Sequence, residues 1–253
     1  MSKEHIFPQW MHAHLPKTGL HRHTRKNEIL RRDGPDTQIA TKSGEASSGR
    51  LRIVCMHCNN GWMSQLQNEI KPILLPLILG EPSRLNRRAQ ELLAAWVAMF
   101  VFVCEYAGNN PLLVAATDEE RRHLMERGEP PSGWRIWLGD YIRGTWVGSV
   151  VHTTVPVAPD GSVPEDFEGS KLKTNVGSTT FVANRLFVTV FRSRIPEIVH
   201  KQYLPRHTYP RLWPIVRGAM IWPPKRNVRD ADADAISSAL AVRGKTAKPA
   251  FPL

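Results

Sequence analysis

The sequence has few cysteines, fewer acidic than basic side chains, and no long hydrophobic run. Three cysteines among 253 residues are too few for a disulfide-stapled scaffold. Cys55 and Cys58 form a Cys-x-x-Cys pair that favours metal binding by reduced thiols, with redox activity as the less favoured alternative. The longest apolar run, residues 92–104, is too short to span a bilayer and predicts a buried helix. The first four residues lack an apolar targeting core, so we expect a cytoplasmic protein.

The shortage of acidic residues leaves a strongly basic chain. Lys and Arg number 34 against 23 Asp and Glu, giving a formal net charge of +11 and a pI near 10. This balance favours an anionic partner, of which nucleic acid is the commonest. The alternative is a basic soluble protein without a polyanionic ligand, because net charge bears on association rather than on fold.

The first group of chemistry-bearing residues opens the chain as Lys3-Glu4-His5-Ile6-Phe7-Pro8. Residues 4–7 predict a strand that Pro8 ends. Residues 11–49 are polar and basic with glycine and proline breakers, which predicts a long connection that is either functional or partly disordered. Its cations form either a phosphate-contacting arm or a solvated loop. The predicted nucleic-acid-binding residues are Arg22, Arg25, Lys26, Arg31, Arg32 and Arg50.

The second group is Cys55-Met56-His57-Cys58-Asn59-Asn60-Gly61-Trp62. Residues 51–54 predict a short strand that leads into it, and apolar residues at near-helical spacing predict a helix over 62–70. Pro72 and Pro76 are expected to interrupt the next apolar stretch, and residues 80–82 mark a boundary.

The remainder predicts helices and then strands. Residues 84–107 predict a helix, and Thr117 is a candidate N-cap for another helix that ends by Gly128. Aromatic and β-branched residues predict antiparallel strands at 134–138, 145–155 and 179–191, and the tail after Arg229 is expected to be partly helical. We therefore expect an α+β protein in which an N-terminal module over residues 1–80 precedes a helical segment and a C-terminal antiparallel sheet region over 81–253.

The two groups supply what phosphodiester hydrolysis requires. A histidine such as His5 suits the general base because its pKa lies near neutrality. Magnesium prefers oxygen ligands, and Glu4 offers a carboxylate while Asn59 offers an amide oxygen. Neighbours in a strand point to opposite faces, so Glu4 and His5 can share a site only where the strand ends or bulges.

Glu-His-Ile-x-Pro followed by Val-Cys-x-x-Cys-Asn resembles the HNH, or ββα-metal, endonucleases, and Cys-x-x-Cys-Asn-Asn-Gly-Trp-Met is similar to uncharacterised bacterial and phage HNH-like proteins. The resemblance covers residues 3–70. It implies that His5 is the general base and that Glu4 and Asn59 hold Mg²⁺ or Mn²⁺. It also implies that Cys55 and Cys58 are half of a structural zinc site within a ββα fold.

The chain departs from this family's pattern at three positions. The middle Asn has no counterpart, Glu4 replaces the usual Asp, and the upstream Cys-x-x-Cys is missing. Either the natural start lies upstream, or other ligands complete the zinc site, or there is no zinc. The candidates for completion are His12, His14, His21 and His23.

We therefore predict a divalent-metal-dependent endonuclease that hydrolyses DNA. The alternative is a non-catalytic nucleic-acid-binding protein that keeps a degenerate ββα fold, and a third reading is an interaction protein that works through its C-terminal sheet. Four tryptophans are predicted to be core residues rather than base-stacking residues. Arg84, Arg87 and Arg88 are predicted to form a solvated helix face rather than a DNA contact. The tryptophans are Trp96, Trp134, Trp137 and Trp146.

Overall fold

The architecture is α+β in a computed structural model that describes residues 2–15, 22–31, 34–43, 50–106, 114–142, 144–158, 174–195, 204–205, 208–216 and 218–244. The strands are β1 (Ser2–His5), β2 (Arg22–Arg31), β3 (Gly34–Ser43), β4 (Arg50–Val54), β5 (Ser83–Leu85), β6 (Trp134–Tyr141), β7 (Val150–Val155), β8 (Val176–Ala183), β9 (Leu186–Ser193), β10 (Arg211–Trp213), β11 (Met220–Trp222) and β12 (Asn227–Val228). The helices are α1 (Ser64–Leu79), α2 (Arg87–Glu105), α3 (Asp118–Arg127) and α4 (Asp230–Gly244). The predicted mixture of helices and antiparallel sheets is confirmed.

The largest sheet has the strand order β10-β6-β9-β8-β7-β2-β3, with β12 paired to β6. Its pairings are antiparallel except for β2 with β7 and β12 with β6, which are parallel. Two small sheets join β1 to β4 and β5 to β11. The sheet is therefore mixed, although its central strands β6, β9, β8 and β7 are antiparallel, as predicted. The one strand predicted over 179–191 is instead two strands, β8 and β9, joined by a turn.

The prediction of a long unstructured connection over residues 11–49 is wrong where the structure describes that segment. Strands β2 and β3 pair along their whole length, from Arg22 opposite Ser43 to Arg31 opposite Gly34. β2 also pairs with β7, where Lys26 lies opposite Val151. The polar composition of this segment did not predict a hairpin, because β2 is paired with β7, a strand distant in sequence.

Helices α1 and α2 cover one face of the large sheet. The ring of Phe100 on α2 lies 5.3 Å from Phe7 and 4.2 Å from Phe181, and Trp96 packs against both Phe100 and Phe181. All four predicted core tryptophans are buried. The predicted burial of residues 92–104 holds from Leu93 onward. No helix in the described ranges is both long and apolar enough to cross a membrane.

The expected interruption at Pro72 and Pro76 is wrong, because both prolines lie inside α1. The helix continues to Leu79 and ends at Gly80, whose left-handed conformation (φ 76°) closes it. Proline removes a helical hydrogen bond, and burial of Ile70, Leu74, Leu77 and Ile78 against the core offsets that loss.

The predicted boundaries of α3 are confirmed. Thr117 accepts a hydrogen bond from the Glu120 N–H, and the Glu120 carboxylate accepts one from the Thr117 N–H, which completes a capping box. Gly128 ends the helix in a left-handed conformation.

Helix α4 covers the opposite face of the sheet, and its N-terminus docks through Asp230. The Asp230 carboxylate accepts hydrogen bonds from the Tyr141 hydroxyl and from the N–H and hydroxyl of Thr145. Farther along, Asp234 accepts a 2.9 Å hydrogen bond from the Trp146 indole. The part of the tail that the structure describes, Asp230–Gly244, is helical, as predicted.

The N-terminal segment is anchored in the same core as the helices. Ile6, Phe7 and Met11 are buried in the cluster that includes Trp96 and Phe181. Burying a side chain of this size is worth about 1.5–3 kcal/mol. Strand β1 is therefore held at its C-terminal end, next to His5, by the core of the molecule.

Candidate functional site

The site begins with the antiparallel pairing of β1 and β4. Glu4 lies opposite Leu51 and His5 lies opposite Arg50, with an irregularity in register between Ser2 and Glu4. His5 is the last residue of β1. The pairing is therefore irregular beside Glu4, and β1 ends at His5. The end of a strand is one of the two conditions under which neighbouring residues can serve one site.

His5 is held between two partners. Arg50 donates a 2.8 Å hydrogen bond from Nε to His5 Nε2. The His12 ring packs edge-on with its centroid 5.2 Å from that of His5, and His12 Nε2 lies 2.9 Å from the Phe7 carbonyl oxygen. Partial burial, the charge of Arg50 and the proximity of His12 lower the pKa of His5. The ring is therefore neutral at neutral pH, the state that a general base requires.

Strand β4 runs directly into the Cys-x-x-Cys turn. Cys55 Sγ accepts a 3.1 Å hydrogen bond from the Cys58 N–H, and the Asn59 N–H donates to the Cys55 carbonyl at 3.0 Å. Gly61 (φ −92°, ψ −116°) departs from helical geometry in the wide turn Asn59–Met63, after which α1 begins. The buried Met63 fixes the end of this turn in the core. The turn thus connects β4, which is paired with β1, to helix α1.

The two thiols of the turn differ in proton affinity. A hydrogen bond from the Cys58 thiol, together with that from the Cys58 N–H, lowers the pKa of Cys55. The pKa of Cys58 is raised because its thiol donates that bond and is partly buried. Cys55 is exposed and Cys58 half-buried. Cys55 is therefore the thiol that more readily becomes a thiolate, which is the metal-binding form.

The two predicted magnesium ligands lie on different elements of the site. Glu4 is in β1, and Asn59 is half-buried in the turn that follows β4. A carboxylate and an amide oxygen form a donor set that suits Mg²⁺, which retains several waters and needs few protein ligands. The side chain of Glu4 lies outside what the structure describes, so its contribution stays a prediction.

The predicted zinc ligands Cys55 and Cys58 supply two of the four donors that structural zinc takes. His12, a candidate for completing the site, lies instead beside His5 and Phe7. Position 21 falls outside the described residues, as does the side chain of His23. Among the groups that the structure describes, no three His, Cys, Asp or Glu side chains are arranged to hold a metal ion.

The predicted nucleic-acid-binding residues are divided between two strands. Arg22, Arg25, Lys26 and Arg31 lie along β2, and Arg50 begins β4. Arg32 lies outside the described residues. Arg84, Arg87 and Arg88 are exposed, as predicted, but Arg84 lies in strand β5, so only Arg87 and Arg88 belong to the predicted helix face. Two of these pair with carboxylates, Arg87 with Glu91 at 3.0 Å and Arg88 with Glu69 at 3.3 Å.

The sequence did not indicate a buried polar cluster beneath the C-terminal end of α2. Glu105 accepts a hydrogen bond from Arg192 of β9, and both side chains are almost fully buried. His152 Nδ1 lies 2.7 Å from the Thr179 hydroxyl, and its Nε2 lies 4.0 Å from Glu105 Oε1. Charged residues within otherwise apolar segments were the available signal, because such residues are rarely buried unless paired.

Comparison with known proteins gives no match. No protein-family model, no curated protein and no solved structure matches the chain.

Proposed function

We propose that the protein is a divalent-metal-dependent endonuclease that hydrolyses DNA phosphodiester bonds, with His5 as the general base. The observation that carries the proposal is the β1–β4 pairing. It places His5 opposite Arg50, on a strand that leads directly into the Cys55–Asn59 turn and then into α1. This strand–strand–helix order is what the resemblance to the ββα-metal endonucleases implies.

The reaction assigns each residue a separate task. Neutral His5 takes a proton from a water molecule, which attacks phosphorus in line with the departing 3′ oxygen. Glu4 and Asn59 would hold a magnesium or manganese ion, which would supply charge stabilisation at the scissile phosphate. Cys55 and Cys58 would provide two ligands to a structural zinc ion. The net charge of +11 favours attraction to the DNA backbone.

The direct test is nicking of supercoiled plasmid in the presence of Mg²⁺ or Mn²⁺. General-base catalysis is worth about 10²- to 10⁴-fold, so His5→Ala should reduce the rate by at least about 100-fold. The matched control is His123→Ala, which removes a half-exposed histidine of α3 that lies 3.6 Å from Glu129. Nicking by His5→Ala at the wild-type rate would exclude His5 as the base.

The bond between Arg50 and His5 also favours a second candidate, a non-catalytic nucleic-acid-binding protein. In that case the histidine and arginine would form a fixed surface pair, and the basic chain would bind DNA without cutting it. Metal-independent DNA binding with no cleavage under any divalent ion is the result expected of this candidate. The plasmid assay and a metal-free binding assay together separate the two functions.

A further inference from the structure

The hydrogen bond between Arg50 and His5 occupies the nitrogen that a general base would use. Arg50 Nε is the donor and His5 Nε2 the acceptor, 2.8 Å apart. A guanidinium has N–H donors and no acceptor. His5 Nε2 is therefore unprotonated, and its lone pair points at Arg50 rather than at a water molecule.

Arg50 is the more movable member of this pair. His5 lies between the β1–β4 ladder, the His12 ring and the buried Ile6 and Phe7. Arg50 is exposed, at the first residue of β4. Within the described part of the chain, the Arg50 side chain bonds to His5 and forms no ion pair with a carboxylate.

A phosphodiester is a stronger partner for this guanidinium than a neutral imidazole. Hydrogen bonds between arginine and an anionic oxygen are roughly twice as strong as those with neutral acceptors and can be bidentate. A phosphate of the substrate therefore competes with His5 for the hydrogen bond that Arg50 donates.

We propose that Arg50 exchanges partners when substrate binds, leaving His5 for a backbone phosphate and freeing the His5 lone pair to accept a proton. This inference rests on the proposed function and deepens it. Before substrate binds, the base is blocked by a cation. Once a phosphodiester has drawn Arg50 away, a water molecule can occupy the freed position on Nε2.

The blocked state can be tested without cleavage, through acylation of His5 by diethyl pyrocarbonate at fixed pH, followed by peptide mass spectrometry. This reagent attacks an unprotonated imidazole nitrogen. Arg50→Ala should raise the rate at His5 by about fivefold or more, while the rate at His123 stays unchanged. The matched control is Arg52→Ala, an exposed arginine two residues along the same strand, which should leave the rate at His5 unchanged. Equal rates in wild type and Arg50→Ala would overturn the inference.

The exchange itself is tested with dimethyl phosphate, a small phosphodiester. It should raise the acylation rate of His5 in wild type towards that of Arg50→Ala, beyond any effect of sodium chloride at equal ionic strength. In Arg50→Ala it should have no such effect. An identical response to the two salts in wild type would show that phosphate does not draw Arg50 away.

Kinetics then distinguish exchange from a merely structural role. If Arg50 leaves His5 for phosphate, Arg50→Ala should raise KM about tenfold through the lost charged contact, with kcat within about threefold of wild type. A large fall in kcat at unchanged KM would instead mean that Arg50 only holds the ring in place, and would overturn the inference. If wild type cleaves no DNA, the proposed function fails. The exchange can still be tested in that case, by the acylation rates of His5 and by comparing the metal-free DNA affinity of Arg50→Ala with that of Arg52→Ala.

Discussion

Two side chains of the candidate site, His5 and Cys55, show how neighbours set protonation. Burial and the Arg50 charge lower the pKa of His5, so that its neutral form is favoured. Donated hydrogen bonds lower the pKa of Cys55, so that its thiolate is favoured. In both cases the favoured form is the one that the proposed role needs, a base for the histidine and a metal ligand for the cysteine.

Loss of either thiol should remove zinc from the protein. Zinc takes four ligands, and Cys55 and Cys58 would supply two of them. We expect about one zinc ion per chain in wild type by plasma mass spectrometry, and almost none in Cys55→Ser or Cys58→Ser. Cys104→Ser should retain the metal, because that cysteine is buried in α2. A zinc-free wild type, or a Cys55→Ser variant that keeps its zinc, would contradict this.

At the residue scale, the sequence indicates which side chains suit the chemistry of the site, but it does not predict the contacts between them. His5 and Asn59 were identified because their side chains suit phosphodiester hydrolysis, and the two cysteines because their Cys-x-x-Cys spacing favours metal binding. The Arg50–His5 bond joins residues 45 positions apart, and it depends on the register of β1 against β4. A shift of one residue would reverse which side chains face each other, and local sequence does not determine that register.

The ends of the helices were more predictable than their continuity. Thr117, Gly80 and Gly128 act locally, through capping hydrogen bonds and the left-handed conformation that glycine tolerates. The passage of α1 through Pro72 and Pro76 depends instead on tertiary packing. The same applies to the β2–β3 hairpin. Its basic composition is typical of a loop, and its pairing with β7 is a tertiary contact.

Docking of helix α4 should depend on pH through Asp230. Burial raises the pKa of this carboxyl, but hydrogen bonds from Tyr141, Thr145 and Trp146 outweigh burial and lower it overall. The native carboxyl therefore binds a proton less readily than the unfolded one. Its contribution to stability is fully present above the unfolded pKa of about 4 and is lost as the pH falls through the lower native value.

Asp230→Asn should accordingly lower the free energy of unfolding by about 1 kcal/mol at pH 7, a modest value because the group is partly exposed. The difference from wild type should shrink below about pH 4. Urea unfolding followed by circular dichroism at several pH values measures both effects. Glu126→Gln, which neutralises an exposed carboxylate of α3, is the matched control. A difference that stays constant down to pH 3 would rule out Asp230 as its source.

At the scale of the whole molecule, the candidate site and the large sheet share one core. Phe7 and Met11, which follow β1, belong to the same buried cluster as Phe100 of α2 and Phe181 of β8. Beneath the end of α2, Glu105 and Arg192 form an ion pair between helix and sheet. Burial and the charge of Arg194 lower the pKa of Arg192 to about 9, so the guanidinium is still protonated at neutral pH.

Removing one partner of this pair should destabilise the entire fold. Glu105→Ala would leave a buried guanidinium without its counter-ion, at a cost of about 3–5 kcal/mol. Urea unfolding monitored by tryptophan fluorescence should show a correspondingly lower midpoint. Glu91→Ala removes a partly exposed carboxylate of the same helix that pairs with Arg87, and it should cost less than about 1 kcal/mol. Similar decreases in the free energy of unfolding of the two variants would mean that the buried ion pair contributes no more to stability than the surface pair.

The parallel pairing of β2 with β7 has a consequence for how the chain can be divided. Because the β2–β3 hairpin lies between β1 and β4 in sequence, the segment that forms the candidate site also supplies the last two strands of the large sheet. A protein shortened to residues 81–253 would leave β7 as an open edge whose N–H and C=O groups are free to pair with another molecule. Such edges promote aggregation, so removal of the N-terminal segment would make β7, in place of β3, the edge at which the sheet can pair with another molecule.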